Sequence, residues 1–151
     1  MKDKLFELFY TLSKLPYQHF FKKNAPWNVT KEELLSYPEK TLGNDLGIFL
    51  TANHFTMEPK LEDHDVMHIL TGIGTSVKEE IAMQCYLLGN GKRSAYLFMV
   101  VLIGTLFYCF ELAFFHSYYK RGRKALAFHY LDYSKLLLQP TENIRKTFKI
   151  Q

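Results

Sequence analysis

Residues 63–68, with the sequence DHDVMH, contain the densest group of side chains in the chain that could bind a metal. His64 and His68 are four positions apart, so on a helix their imidazoles lie on one face, one turn apart. Asp65 is rotated from His64 by about 100° on such a helix. Its carboxylate can bend toward the same ion, or accept a hydrogen bond from an imidazole N–H beside it.

Glu80 is a fourth candidate ligand, twelve residues beyond His68. On one straight helix the two residues would be about 18 Å apart, too far to share an ion. Gly72 and Gly74 interrupt the helical pattern, so the next helix can fold back and bring Glu80 opposite the histidines. Two imidazoles with one or two carboxylates form a mixed nitrogen and oxygen site. Such a site suits Zn²⁺, Fe²⁺ or Mn²⁺, whereas a structural zinc site usually contains thiolates.

Two other interpretations of these residues stay open. His64 and His68 can belong to a polar network that binds no metal. The His64-Asp65 pair also occurs in metal-dependent HD-type phosphohydrolases, which need a further histidine upstream and a distant aspartate. Neither His19 nor His54 is a convincing partner for that chemistry.

The elements that must position these residues are helices. The 151 residues are enough for one domain, residues 1–151, and no alternating strand pattern or internal repeat is present. The sequence predicts an all-α bundle of about seven helices, with a short one that starts after Thr30 and ends before Pro38. The other predicted helices span 2–15, 41–52, 61–70, 76–89, 94–118, 120–138 and 141–148.

The predicted helix 94–118 is the most apolar part of the chain, because residues 94–110 contain no charge. A membrane-spanning helix needs about 20 apolar residues, so this segment is close to that limit. We expect a central apolar helix buried in the core. A helix that exposes one face to a membrane or a prenyl chain, and a transmembrane span, remain as alternatives.

The C-terminal part of the chain is basic. From residue 117 onward there are eight basic and two acidic residues, against 11 and 13 in the rest. Such a tail indicates an anionic partner. Arg121, Arg123 and Lys124, expected at the start of the helix 120–138, form either a clamp for a carboxylate or phosphate head group or a solvated basic face. Nucleic acid is not expected as a partner, since no nucleic-acid-binding motif is present.

The two cysteines, Cys85 and Cys109, are too few for a disulfide scaffold or a four-cysteine zinc site. Both lie in apolar surroundings, and we expect them to be reduced and buried. Residues 1–10 carry acids within an apolar stretch and lack a cleavage site, which argues against a signal peptide.

The spacing of the candidate ligands resembles the signature of the coenzyme Q (ubiquinone) biosynthesis protein 4 family, HDxxH followed by eleven residues and a glutamate. The neighbouring sequences KTLG at 40–43, HILTG at 68–72 and EIAMQ at 80–84 also resemble that family. So do Gly122-Arg123, LDYSKLL at 131–137, Pro140 and Ile144-Arg145. The resemblance extends from about residue 30 to residue 150.

This resemblance implies a helical fold and a metal, usually zinc, at His64, Asp65, His68 and Glu80. It also implies membrane association, prenylated lipids as ligands, and a role in ubiquinone assembly. That role includes organising the biosynthetic enzymes, and removing the ring carboxyl group at C1 with hydroxylation there. The expected location is the cytoplasmic side of a bacterial inner membrane, as a peripheral protein. Expected partners are a prenylated quinone precursor or isoprenoid lipid, other quinone-biosynthesis enzymes, and a second copy of the chain.

Two functions remain open at this stage. The protein can be a metal-dependent decarboxylase of a polyprenyl hydroxybenzoate. It can instead be a lipid-binding scaffold in which the metal fixes two helices. A catalytic metal keeps an open coordination position that faces a pocket, and a structural metal does not.

Overall fold

The computed structural model describes residues 26–57 and 62–151. These residues form an all-α bundle without strands, as predicted, with one isolated bridge between Thr41 and Pro140. The predicted helix 2–15 lies outside the described residues. The seven α-helices of the described part are α1 Lys31–Ser36, α2 Leu42–Ala52, α3 Glu62–Thr71, α4 Val77–Gly89, α5 Ala95–Phe107, α6 Leu112–Lys124 and α7 Thr141–Phe148.

Helix starts follow the local capping signals. The hydroxyl groups of Thr30 and Thr41 accept hydrogen bonds from the backbone three residues later, at the starts of α1 and α2. At the start of α4, Ser76 and Glu79 form a reciprocal capping box. The predicted starts of these helices are confirmed. They could be predicted because a capping signal involves only neighbours along the chain.

The apolar segment 94–118 is not one helix, and this prediction is wrong. Tyr108 leaves the helical conformation, and a 3₁₀ turn, Cys109–Glu111, separates α5 from α6 with a bend of 102°. Both halves pack against α4, and a uniformly apolar sequence carries no signal for where the division between them falls.

Helix α5 is also less buried than expected. It buries Leu97, Val100 and Gly104 but exposes Phe98, Leu102 and Leu106. The central helix is instead α4, in which every residue from 81 to 87 is buried. Helix α5 therefore has an exposed apolar face, and a membrane or a prenyl chain as its partner stays a prediction.

Within the described ranges, no single helix has both the length and the hydropathy needed to cross a membrane. Helix α5 meets the length and hydropathy criteria only when it is combined with residues 109–124. A bend of 102° separates these two segments.

The predicted helix 120–138 is also wrong. Helix α6 ends at Lys124, and the chain then runs to residue 140 without an α-helix, with one 3₁₀ turn at Tyr133–Lys135. Within this segment the buried Tyr133 hydroxyl donates to the Phe128 carbonyl at 2.6 Å. Burial of Phe128 and Tyr133 in the core thus holds this segment in a non-helical path.

Asn90, just after α4, organises the start of this segment. Its amide nitrogen donates to the carbonyls of Gly122 and Leu126, at 3.4 and 3.0 Å. Its amide oxygen lies 3.0 Å from the donating backbone nitrogen of Phe128 and 3.3 Å from Nδ1 of His129. One buried side chain therefore connects the end of α4 to the end of α6 and to the segment that follows.

Helices α4 and α6 pack with their backbones in contact. A Cβ atom built on Gly122 would lie 2.0 Å from the Tyr86 carbonyl oxygen, and one on Gly89 would lie 2.2 Å from that of Tyr119. Two glycines on facing helices therefore permit this close approach, which positions α4 and the site residue that it carries.

Both cysteines are free, but only Cys85 is buried. Cys109 is exposed because it lies in the turn between α5 and α6. The expectation that both are buried is therefore wrong for Cys109.

Candidate metal site

His64, His68 and Glu80 converge on one point between α3 and α4. The Nε2 atoms of the two histidines are 3.1 Å apart. The Glu80 carboxylate lies 3.2 Å from each of them, through Oε2 to His64 and through Oε1 to His68. The three residues thus form a group whose ligand atoms all lie within 4.8 Å of one another.

The spacing of these atoms fits a metal ion. Zinc–nitrogen and zinc–oxygen bonds of about 2.0–2.1 Å in a tetrahedron place neighbouring ligand atoms about 3.3 Å apart. The observed separations are 3.1 and 3.2 Å. Oε2 of Glu80 is buried, and no hydrogen bond of acceptable geometry reaches it although His64 is near. A cation at the centre would satisfy that oxygen, so the residues present fit a divalent metal.

The electrostatics of the site keep Glu80 ionised. Burial alone would raise the pKa of its carboxyl group, but the imidazoles of His64 and His68 beside it outweigh burial and lower the pKa to about 2. Burial likewise lowers the pKa of His68, and the hydrogen bond and charge of Glu80 outweigh that effect and raise it. The site therefore presents a carboxylate to any bound cation across the neutral pH range.

A backbone carbonyl sets the tautomer of His68. Its Nδ1 lies 2.9 Å from the carbonyl oxygen of Ile73, which can only accept, so Nδ1 carries the proton. In the neutral ring the lone pair is then on Nε2, the atom that faces His64 and Glu80. The ring of Phe49 stacks on the imidazole, with centroids 5.5 Å apart and an interplanar angle of 15°. The His68 ring is thus held with Nε2 facing His64 and Glu80, where it could bind a metal ion.

The chain reversal between α3 and α4 brings Glu80 to the histidines, as the two glycines predict. Gly72 has φ +66°, a conformation that favours glycine, and its N–H donates to the His68 carbonyl at 2.9 Å. Ser76 then caps α4, so Glu80 lies in the first turn of that helix. A tight turn and a cap therefore place three ligands from two consecutive helices.

Asp65, the fourth candidate ligand, is outside the group of three. Its negative charge contributes to the raised pKa of His68, after burial and the larger effects of Glu80 and Ile73. Its role as a ligand stays a prediction.

The three basic candidates lie at the end of α6, not at the start of a helix as expected. Arg123 and Lys124 are exposed. Arg121 is half-buried, and its guanidinium donates to the carbonyls of Thr71 and Gln151. Their role in binding a head group also stays a prediction.

Sequence reasoning missed two residues of the site, Phe49 and Ile73. Ile73 acts through its backbone carbonyl, which every residue carries, so its type gives no signal. Phe49 lies on α2, nineteen positions before His68, and only the packing of α2 on α3 brings the two rings together.

The fold and the site together define an all-α protein with a candidate metal site of two histidines and one carboxylate. No protein-family model matches the chain, and no curated protein matches its sequence. The fold is similar to the crystal structure of a protein from Nostoc punctiforme PCC 73102, whose name provisionally assigns it to ubiquinone biosynthesis. The TM-score is 0.68 at 17% identity, and the match covers 100% of this chain and 82% of that chain. At this identity the comparison establishes a shared fold.

Proposed function

We propose that this chain is a metal-dependent, prenyl-lipid-binding protein of quinone biosynthesis. The observation that carries the proposal is the convergence of His64, His68 and Glu80 within 4.8 Å. The similarity in fold to a protein named for ubiquinone biosynthesis supports the choice of pathway.

An exposed apolar face supports the lipid part of the proposal. We define the α5 face as the exposed residues Phe98, Leu102 and Leu106 together with Phe110 in the turn that follows, which is 94% exposed. Each CH₂ group that such a face removes from water stabilises binding by about 0.8 kcal/mol. A prenyl chain has the length and chemistry to cover such a face.

The proposed reaction is removal of the carboxyl group at ring position C1 of a prenylated hydroxybenzoate. The carboxyl carbon leaves as CO₂, and a proton takes its place on the ring. Hydroxylation at the same carbon further needs dioxygen and a two-electron reductant. A divalent metal bound at this site would supply a Lewis acid that stabilises the negative charge developing on the ring.

The residues of the chain contribute orientation and charge to this chemistry. Hydrogen bonding from His68 Nδ1 to Ile73 directs the lone pair of Nε2 to the centre of the site. Ionised Glu80 supplies one negative charge, so a divalent cation held by His64, His68 and Glu80 keeps a positive charge that can attract an anionic substrate. We further propose Arg123 and Lys124, exposed at the end of α6, as contacts for the anionic head group.

A scaffold function is the second candidate, because the site is well enclosed. His68 is buried, and the Glu80 side chain is only 15% exposed. A metal that ties α3 to α4 in this way can act as a structural element. In that case the protein would bring prenylated lipid and other quinone-biosynthesis enzymes together at the cytoplasmic face of a bacterial inner membrane, as a monomer or a homodimer.

Metal analysis and lipid identification by mass spectrometry on the purified protein test the metal and the lipid directly. We expect about one divalent ion per chain in the wild type, and background levels in His64→Ala and Glu80→Ala. His116→Ala, which removes an exposed histidine on α6, is the matched control and should keep the metal. Full metal content in both ligand variants would place the metal elsewhere.

An isotope assay separates the two functions. A prenylated hydroxybenzoate labelled in its carboxyl group is supplied to metal-loaded protein, under air with a reductant and under nitrogen. Release of the label, lost in Glu80→Ala while lipid binding persists, supports the enzyme. Label retained by correctly metallated protein in every condition, with lower thermal stability on ligand loss, supports the scaffold.

A further inference from the structure

We propose that Arg121 and Arg145 are positioning residues for the candidate metal site, because they cap the C-terminal end of α3. This inference rests on the proposed metal site, and its test separates the two. The described contacts that support it concern the last turn of α3, which carries His68.

The last four carbonyl groups of a helix have no partner within the helix. In α3 these belong to His68, Ile69, Leu70 and Thr71. The His68 carbonyl accepts from the N–H of Gly72 at 2.9 Å. The other three accept from arginine side chains, so all four are satisfied.

The arginine contacts come from two distant helices. Arg145 of α7 donates to the Leu70 carbonyl through Nε at 3.1 Å and to the Ile69 carbonyl through Nη2. Arg121 of α6 donates to the Thr71 carbonyl through Nη2 at 3.2 Å. Two positively charged guanidinium groups therefore lie at the negative end of the α3 dipole. Their hydrogen bonds to the carbonyls are charge-assisted.

The position of His68 and the carbonyl that fixes its tautomer both depend on this turn. His68 is itself in the last turn of α3, and the carbonyl that binds its Nδ1 belongs to Ile73, two residues beyond the helix end. A displacement of the turn therefore changes the position of Nε2 relative to Glu80. Small displacements matter, because a metal site tolerates little error in the distances between its ligands.

The surroundings of the turn make it dependent on these bonds. Leu70, Thr71 and Gly72 border a cleft of about 330 Å³, which Arg145 also lines. Leu70 and Thr71 are nevertheless almost fully buried, so their carbonyls would lose their partners if the arginine donors were removed. In this structure two residues of the basic tail thus bind backbone carbonyls of the same chain, a use that the tail's charge alone does not predict.

The test uses substitutions that keep the charge but lose the planar fork of donors, Arg145→Lys and Arg121→Lys. Lys120→Arg is the matched control, because Lys120 is exposed on α6 next to Arg121 and the change keeps its charge. Zn²⁺ affinity is measured by competition with a chelating dye, and site geometry by the visible spectrum of the Co²⁺-substituted protein. In the metal-free protein, amide hydrogen exchange is measured at Gly72.

We expect each of the two lysine variants to bind Zn²⁺ roughly ten-fold more weakly than the wild type. Losses of this size are typical when a group that orients a metal-binding side chain is removed. The Co²⁺ spectrum should change, and the Gly72 amide should exchange faster than in the wild type. Lys120→Arg should match the wild type in all three measurements. If one of the two variants does not fold, the other still provides all three measurements.

Folded variants with unchanged Zn²⁺ affinity and an unchanged Co²⁺ spectrum would overturn the positioning role, even if their thermal stability falls. If the wild type binds no metal, the proposed function fails instead. The cap is then judged on Gly72 exchange alone, and unchanged exchange in both variants overturns it as well.

Discussion

The Nε2 atoms of His64 and His68 lie 3.1 Å apart and face the same carboxylate. Because Nδ1 of His68 is occupied by the Ile73 carbonyl, protonation of that ring adds its proton at Nε2. Protons and metal therefore compete for the same atoms, and the behaviour of the site must depend on pH.

We expect the metal-free protein to lose stability as the pH rises above about 6.5. Burial lowers the pKa of His68, but Glu80 outweighs burial and raises it above the ordinary 6.5. The stabilisation that protonated His68 contributes is complete below about pH 6.5. It is lost as the pH rises through the raised pKa of His68. Glu80, whose pKa is lowered from 4.5 to about 2, stabilises the protein above 4.5 and loses this effect as the pH falls toward 2.

Thermal unfolding in a chelator, from pH 4 to pH 8, checks this prediction. The midpoint should be highest between about pH 4.5 and 6.5, and His68→Gln should remove most of the fall on the alkaline side. A wild-type midpoint that stays flat from pH 6 to 8 would contradict it.

Added Zn²⁺ should show the opposite dependence. Metal binds neutral imidazoles, so the increase in unfolding midpoint on adding Zn²⁺ should grow from pH 6 to pH 8. At a free Zn²⁺ concentration 100 times the dissociation constant, the gain in stability is about 2.7 kcal/mol. Differential scanning calorimetry with and without Zn²⁺ measures it, and Glu80→Gln should reduce the gain strongly. An equal gain in wild type and Glu80→Gln would argue against the site.

The α5 face should bind lipid without supporting the fold. Leu102→Gln with Leu106→Gln changes side chains that are 62% and 68% exposed, so each should alter stability by at most about 0.5 kcal/mol. Binding to vesicles that contain a polyprenyl lipid should fall by about ten-fold or more, since apolar burial is lost. Co-sedimentation measures the binding.

The control for this pair is Leu126→Gln with Leu138→Gln, at 50% and 62% exposure outside the α5 face. These changes should leave vesicle binding unchanged. Equal loss in both double variants would mean that general hydrophobicity, not this face, determines binding.

Because α4 and α6 approach closely at Gly122, even a methyl group at this position should destabilise the protein. In Gly122→Ala the new methyl group would lie 2.0 Å from the Tyr86 carbonyl oxygen, so the backbones must separate. We expect a loss of about 2 kcal/mol or more in the free energy of unfolding, measured by urea titration. Ser117→Ala, an exposed change on the same helix, should stay within about 0.5 kcal/mol of the wild type. Equal stability of Gly122→Ala and wild type would refute this packing.

Helices with local signals could be predicted from the sequence. Thr30 and Ser76 mark helix starts, and Pro38 and Gly91 mark ends, because caps and breakers act over a few residues. The spacing of His64 and His68 is likewise local. Glu80 could be included because Gly72 and Gly74 show where the chain turns.

Features that depend on distant contacts could not be predicted. No glycine or proline marks the break at Tyr108, so 94–118 looks like one helix. The path of the chain after Lys124 depends on Asn90, whose partners are 32 to 39 residues away. The basic tail indicates an anionic partner, but Arg121 and Arg145 bind carbonyls of this chain, because net charge does not show what each charge contacts.

Loss of the Asn90 side chain should destabilise the junction of α4 and α6. Asn90→Ala leaves the buried Phe128 N–H without its acceptor, and an unsatisfied buried group costs about 1–3 kcal/mol. Chemical denaturation should therefore show a loss of at least about 2 kcal/mol, with faster amide exchange at Phe128. Asn143→Ala, at an exposed asparagine in α7, provides the comparison. Slow exchange at Phe128 in Asn90→Ala would show that Asn90 is not its acceptor.

Asn90 also affects how the protein ages chemically. It precedes Gly91, and asparagine followed by glycine deamidates readily, because the glycine nitrogen can attack the side-chain amide. Here that nitrogen donates to the Leu88 carbonyl at 3.2 Å, and the amide is buried and hydrogen-bonded at both ends. The folded chain thus shields a bond that is vulnerable in the unfolded chain. Deamidation would replace the two donating hydrogens with a charged acceptor facing two carbonyls, so each molecule that reacts while unfolded becomes harder to refold.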